Sequence, residues 1–175
     1  LRGEIYLDQE EQAQVNKICS DLPSQYVTIE PISNFEYTVN RSYPFKKWQD
    51  IVDKMKDQIQ FVQVGIKTDR PPLNNVIDVR GKTTFRTSGG VIGKSKLFLS
   101  SEGGLTHLST AFNTPSLVIL TGYQSLKMVQ YPQNYYVDIS SHGPCGMKIE
   151  CPECKSDAEK HDYLEVVEMM EKILK

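Results

Sequence analysis

The stretch from Leu97 to Leu120 reads LFLSSEGGLTHLSTAFNTPSLVIL. It begins and ends with short apolar runs, and between them lie two adjacent glycines, a run of helix-compatible residues and Pro115. This order predicts a buried strand, a glycine turn, a short helix that stops before the proline, and a second buried strand. Buried strands that alternate with helices are typical of a parallel sheet.

The rest of the chain continues this alternation. Apolar residues at helical spacing predict a helix from Trp48 to Met55. Short apolar, β-prone runs predict four more strands, at residues 26–29, 61–65, 76–79 and 135–139. The sequence therefore predicts an α/β fold with a doubly wound, mainly parallel sheet and right-handed crossovers.

Changes in composition along the chain suggest its organisation. We expect residues 1–23 to form a lead-in or linker segment and residues 24–175 to form one α/β domain. Gly, Pro and Cys interrupt the alternation over 141–157 and predict a cysteine-rich hairpin, after which residues 161–174 predict a closing helix that docks on the sheet. Because the chain begins with Leu1 rather than methionine, we expect it to be a piece of a longer protein.

Composition excludes several classes of function. The chain has 175 residues, of which 39% are hydrophobic, so it is long enough for one domain with a full core. A net charge of −2 argues against a nucleic-acid partner, and no apolar run approaches the about 20 residues of a membrane span. Four cysteines, three of them close together, do not resemble a secreted disulfide framework, so we expect a cytoplasmic protein.

The glycine turn predicts an anion site. Gly103 and Gly104 stand where a strand gives way to a helix, so backbone N–H groups and the positive end of the helix dipole can approach a phosphate closely. Glu102 lies at the carboxyl end of the strand, where open α/β sheets bind ligands, and His107 lies one turn inside the helix. The alternative is an ordinary strand-to-helix turn with a satisfied histidine.

A second polar segment follows the first predicted strand, so we expect it to line the same crevice. Arg41 offers a fork of donors suited to a diphosphate, and Ser33 and Asn34 offer short polar contacts. The alternative is that Arg41, Lys46 and Lys47 form a solvated basic face.

The cysteines near the end of the chain predict a metal site. Cys151 and Cys154 form a Cys-x2-Cys pair, and Cys145 with His142 completes a set of four ligands for tetrahedral zinc or iron. His161 or an exogenous ligand are alternatives to His142. Such a metal would be structural, and the opposing interpretation is a loop of reduced thiols without metal.

Together these elements resemble the C-terminal, nucleotide-sugar-binding domain of glycosyltransferase family 9, the bacterial ADP-heptose heptosyltransferases. The resemblance covers roughly residues 26–174. One family pattern is matched by Glu102, Gly103, Gly104, His107 and Pro115, a second by Arg41, Tyr43, Pro44 and Trp48, and a third by the segment from Gly81 to Phe85.

The resemblance implies a Rossmann-like half of a GT-B glycosyltransferase, which is inverting and needs no catalytic metal. Arg41 would bind the diphosphate of an ADP-heptose-like nucleotide sugar. The remaining donor contacts implied by position are Glu102, Gly103, Gly104 and His107 around the phosphates and sugar, Ser33 and Asn34 in the same cleft, and Lys82 and Thr83 near the nucleoside. Positive charge and helix amides would stabilise the departing nucleoside diphosphate.

Two departures from the family pattern limit what the resemblance implies. Glu102 and Gly103 stand where the family usually has aspartate followed by threonine or serine. The general base and the acceptor site belong to an N-terminal domain, so we expect this chain alone to bind donor but to transfer little or no sugar. The acceptor would be a glycan, a lipid-linked glycan as in lipopolysaccharide biosynthesis, or a protein, and the whole protein would be cytoplasmic or peripheral to the inner membrane. The alternatives are a non-catalytic nucleotide- or sugar-binding module and a fragment of a GT-B-like nucleotide-sugar epimerase.

Overall fold

A computed structural model describes residues 3–32 and 37–175. The predicted contacts Ser33 and Asn34 lie outside the described residues. Six strands form one sheet in the order β3-β2-β1-β4-β5-β6, and every neighbouring pair is parallel. Their bounds are β1 Tyr26–Glu30, β2 Gln60–Gln63, β3 Val76–Asp78, β4 Leu97–Ser101, β5 Ser116–Leu120 and β6 Tyr135–Asp138.

Seven α-helices flank this sheet in the described residues, together with a short 3-10 helix at Val39–Arg41. The α-helices are α1 Gln9–Ser20, α2 Phe45–Met55, α3 Phe85–Ile92, α4 Gly104–Ala111, α5 Leu126–Val129, α6 Pro152–Lys160 and α7 Leu164–Ile173. The predicted doubly wound α/β fold is confirmed. None of the helices in the described ranges is long and apolar enough to cross a membrane.

The two faces of the sheet pack against different helices because successive strand residues point in opposite directions. Leu97 and Leu99 of β4 face a core built with α2 and α7, where Trp48 and Met170 are fully buried. Phe98 faces the other core, which includes residues of α1, α3 and α4. Because both faces of these strands are buried, their sequences are continuous apolar runs rather than alternating apolar and polar residues.

Two boundaries differ from the sequence-based expectation. The predicted hairpin over 141–157 is wrong in its second half, because α6 begins at Pro152. Proline is well suited to the first turn of a helix, since its fixed φ fits there and its missing N–H has no helical partner to lose. The closing helix begins at Leu164 rather than at residue 161. Within the predicted lead-in segment, Val15 of α1 is fully buried, and Arg86 of α3 pairs with Glu11.

The strand order reverses direction between β1 and β4. In an open α/β sheet this is the position where a crevice opens beyond the carboxyl ends of the strands. β1 ends at Glu30 and β4 ends at Ser101, so the segments that follow these two strands border the crevice.

Candidate functional site

An ion pair joins the two segments across the crevice. Arg41 ends the 3-10 helix after β1, and Glu102 follows β4. Arg41 Nη2 lies 2.9 Å from Glu102 Oε1, and the two side chains are only 17% and 7% exposed. The structure therefore brings together the two residues that the sequence predicted on separate elements.

Two tyrosine rings hold the Arg41 guanidinium. Its Cζ lies 4.5 Å from the ring centroid of Tyr37 and 4.7 Å from that of Tyr123. Both contacts are within the range of favourable cation–π interactions. Arg41 Nε is buried and has no hydrogen-bond partner among residues 3–32 and 37–175. The guanidinium is therefore held in place by two rings and one carboxylate, and a guanidinium in a fixed orientation can bind an oxyanion through paired N–H groups.

Glu102 is a carboxyl group in a poorly solvated position. Burial raises its pKa, and the positive charge of Arg41 offsets part of that effect. The side-chain amide of Gln124, oriented to suit its hydrogen-bonding partners, donates to Glu102 Oε1 at 2.7 Å. An anion that binds Arg41 must therefore compete with a carboxyl group that is already in place.

His107 lies on the exposed side of α4. Its Nδ1 is 2.8 Å from the hydroxyl of Tyr131, whose ring also makes an edge-on contact with the imidazole. Partial desolvation and then the charge of Arg41 lower the His107 pKa, so the imidazole is mainly neutral at pH 7. The tyrosine fixes the orientation of a neutral ring on the crevice side of α4.

The N-terminus of α4 carries the two glycines. Gly103 is the N-cap, and no side chain caps the helix there. Its φ of −179° is extended backbone that any residue adopts, and a Cβ at this position would come no closer than 4.0 Å to Glu30 Oε2 or a backbone oxygen. The space beside Gly103 is therefore open, and the first turn of α4 presents the uncapped N–H groups and positive dipole end that favour an anion.

The segment around Lys82 and Thr83 borders the same site less directly. Lys82 is exposed, and its carbonyl accepts a hydrogen bond from Gln14. The Thr83 hydroxyl lies 2.7 Å from that of Ser88 in α3, so it is engaged within the protein. The exposed Phe85 ring would lie 3.4 Å from a Cβ at Gly104, which places the start of α3 next to the glycine turn.

The structure groups three of the four predicted ligands, and it places the fourth, Cys145, beside one of them. Ligand atoms of His142, Cys151 and Cys154 lie within 4.8 Å of one another. Cys154 Sγ is 3.4 Å from Cys145 Sγ and 3.6 Å from His142 Nε2. Metal–sulfur bonds of about 2.3 Å in a tetrahedral site place neighbouring ligand atoms about 3.8 Å apart. The donor set and its spacing therefore fit zinc or iron.

Two further observations describe the surroundings of this cluster. Burial and the neighbouring thiols of Cys145 and Cys151 raise the Cys154 pKa, which favours the neutral thiol where no cation is bound. Gly122 has a φ of +95°, and a Cβ on it would lie 3.1 Å from Cys154 Sγ. The alternative ligand His161 lies elsewhere, between the Tyr43 hydroxyl and the Glu165 carboxylate.

Several residues at the site were not predicted from the sequence. Glu30 ends β1, and burial raises the pKa of its carboxyl to about 8. Tyr123 and Gln124 follow β5, at the same edge of the sheet as Glu102. Tyr123 and Gln124 could have been found from their position after a predicted buried strand, because the ends of parallel strands border the ligand site. Tyr37 and Tyr131 lie in irregular segments where no periodicity marks them.

No protein-family profile and no curated protein sequence matches this chain. Solved structures do match it. ADP-heptose LPS heptosyltransferase II of E. coli gives a TM-score of 0.74 at 14% identity, over 99% of this chain and 54% of that one. The iron-containing dodecameric glycosyltransferase TibC from enterotoxigenic E. coli gives a TM-score of 0.67 at 16% identity, over 87% of this chain and 45% of that one.

A glycosyl transferase family 9 protein of Veillonella parvula gives a TM-score of 0.62 at 13% identity, over 99% of this chain and 54% of that one. TibC has also been solved in complex with ADP-D-β-D-heptose. The chain spans about half the length of the solved glycosyltransferases that it matches. At these identities the similarity is one of fold, and it confirms the Rossmann-like α/β architecture that the sequence predicted.

Proposed function

We propose that this chain is the donor-binding half of an inverting glycosyltransferase and that it binds the diphosphate of a nucleotide sugar in the crevice between β1 and β4. The observation that carries the proposal is the meeting of Arg41, Glu102, His107 and the uncapped N-terminus of α4 at the strand-order reversal. A fixed guanidinium and free helix N–H groups are the protein groups best suited to a diphosphate.

The proposed chemistry follows from these charges. An acceptor hydroxyl attacks the anomeric carbon, the bond from that carbon to the β-phosphate oxygen breaks, and its electron pair goes to the departing diphosphate. Arg41 and the α4 amides stabilise this developing negative charge, and neutral His107 donates a hydrogen bond to it. The proton from the acceptor goes to a base in the companion half, so we expect the isolated chain to bind donor without appreciable transfer.

The nucleotide and acceptor are proposed from the structural neighbours. TibC in complex with ADP-D-β-D-heptose supports an ADP-linked, heptose-like sugar as the donor. The lipopolysaccharide heptosyltransferase supports a lipid-linked bacterial glycan as the acceptor, and a protein acceptor is the second option. A companion N-terminal domain would bind this acceptor, and the complete protein would work at the cytoplasmic face of the inner membrane.

A bound metal would have a structural role. Cys145, Cys151, Cys154 and His142 would hold one zinc or iron ion, and TibC is a neighbour that contains iron. The ion would supply cross-linking of the segment after β6 and would take no part in the transfer.

Calorimetric titration of the chain with ADP, UDP, GDP and CDP tests the proposed function. We expect saturable binding of one diphosphate, ADP, that is lost in both Arg41→Ala and His107→Ala. Arg86→Ala is the matched control, because Arg86 also forms an ion pair with a glutamate but contacts α1 instead of the crevice. Absence of binding for all four nucleotides, with normal circular dichroism, would overturn the proposal and favour a non-catalytic module.

A further inference from the structure

The cysteine-rich segment packs directly against the residues that hold Arg41. Asn40 precedes Arg41 in the 3-10 helix and is only 4% exposed. Its side-chain Nδ2 donates to the carbonyls of Met147 and Ile149, both at 2.8 Å, and its Oδ1 accepts from the N–H of Cys151 at 2.8 Å. One buried amide therefore connects the candidate metal ligand Cys151 to the residue beside Arg41.

The same segment also fixes the tyrosine that covers Arg41. The N–H of Cys145 donates to the Gly122 carbonyl at 2.8 Å, and the N–H of Gly146 donates to the Tyr123 carbonyl at 3.1 Å. Tyr123 stacks on the Arg41 guanidinium. The hydrogen bonds from the backbone around Cys145 therefore help to fix the position of this ring. Two separate sets of hydrogen bonds thus run from metal ligands to the surroundings of one arginine.

Two further hydrogen bonds restrain the same segment. The Thr38 hydroxyl donates to the Met147 carbonyl at 3.1 Å, and the Thr121 hydroxyl donates to the Asn40 carbonyl. The backbone on both sides of Asn40 is therefore anchored, one side to the cysteine segment and the other to the end of β5. Ordering of the cysteine segment restricts the positions that Arg41 can adopt.

We propose that Asn40 is a positioning residue that couples the cysteine site to the diphosphate site. Metal binding at Cys145, Cys151 and Cys154 orders the segment that Asn40 holds, and this ordering pre-organises Arg41 for a diphosphate. The coupling is reciprocal, because a ligand that orders Arg41 lowers the cost of ordering the metal site. The inference rests on the proposed function, and it adds control of donor affinity by metal occupancy.

The coupling is measurable by binding alone. We expect ADP to bind the Zn²⁺-loaded chain about tenfold more tightly than the metal-free, reduced chain, and Zn²⁺ to bind about tenfold more tightly in saturating ADP. The increase in ADP affinity caused by Zn²⁺ and the increase in Zn²⁺ affinity caused by ADP should be equal within error. An ADP affinity that is the same with and without Zn²⁺ would overturn the coupling.

Asn40→Asp tests the role of the amide. The substitution keeps the size of the side chain and the acceptor for Cys151, but it removes both donors and places a carboxylate against two carbonyls. We expect the variant to bind Zn²⁺ with unchanged stoichiometry and to bind ADP about tenfold more weakly, at an affinity that no longer responds to Zn²⁺. Full coupling in this variant would contradict the proposed role.

Asn134→Asp is the matched control. Asn134 is also buried, accepts from the N–H of Ser116 and donates to Thr110, away from the cysteine segment. The Asn134→Asp substitution should lower the stability of the fold and leave the effect of Zn²⁺ on ADP affinity unchanged. The wild-type measurement keeps the proposal testable even where a variant does not fold. Failure of ADP to bind the Zn²⁺-loaded wild type would contradict the proposed function itself, which is a different result from ADP binding that is indifferent to Zn²⁺.

Discussion

The carboxyl of Glu30 makes the stability of this protein depend on pH in a predictable direction. Burial raises its pKa from 4.5 to about 8 in the folded chain. Between these two values the folded protein holds a proton that the unfolded chain releases. The free energy of unfolding therefore includes a contribution from Glu30 that is fully present below pH 4.5 and is lost as the pH rises through about 8.

The size of this effect follows from the pKa difference. Each pH unit between the two values changes the free energy of unfolding by about 1.4 kcal/mol. Between pH 6 and pH 8 the wild type should lose about 2 kcal/mol through Glu30, a substantial share of the stability of a typical domain. Glu30→Gln replaces the protonated carboxyl with a neutral group of the same size, so the variant should lack this loss. Urea denaturation followed by circular dichroism at both pH values measures the difference.

Other titrating groups are common to both proteins and cancel in that difference. Glu168→Gln makes the same chemical change on the exposed face of α7 and should follow the wild-type pH dependence. Equal losses of stability between pH 6 and pH 8 in wild type and Glu30→Gln would refute the reasoning, because they would mean that the Glu30 carboxyl titrates alike in the folded and unfolded chains.

Two glycine substitutions should have different effects, one mainly on ligand affinity and the other mainly on stability. Gly103→Ala should leave the melting temperature within a few degrees of wild type, since its backbone is extended and the space around it is open, yet it should weaken ADP binding by about tenfold by covering the first turn of α4. A loss of stability without a loss of affinity would contradict this. Gly122→Ala should cost about 1–3 kcal/mol in urea denaturation, because its φ is +95° and the new Cβ would lie 2.9 Å from Ser140 Oγ and 3.1 Å from Cys154 Sγ. It should also weaken Zn²⁺ binding, and unchanged stability would show that the turn relaxes freely.

The features that could be predicted from the sequence are those carried by local pattern. The apolar runs of β4 and β5 reveal buried strands because both of their faces are covered by helices. The sequence predicted that Arg41 and Glu102 lie close together, because both residues follow the carboxyl ends of parallel strands. The ion pair between them is seen only in the structure. The cysteine spacing likewise predicted a cluster, because Cys-x2-Cys brings two thiols within reach of one ion.

The remaining features depend on contacts between distant segments. The burial of Glu30 results from its neighbours at the ends of β2 and β4, which come together only in the folded sheet. Asn40 is ordinary in the sequence, and its role follows from backbone groups more than 100 residues away in the segment after β6. The start of α6 at Pro152 was missed because the cysteine pattern suggested a hairpin where proline permits a helix.

The ion pair between Arg41 and Glu102 has a consequence for selectivity. With Glu102 in place, the crevice presents a cation whose charge is already balanced, so it offers little attraction to simple anions such as chloride or inorganic phosphate. A lone anion would exchange one contact with Arg41 for another and leave a desolvated carboxyl without its counterion. In the proposed binding mode, a diphosphate would bring a second charge to the N-terminus of α4 and would gain from the exchange. Under the proposed function, the pair would therefore act as a threshold that favours ligands with two linked phosphates over ligands with one.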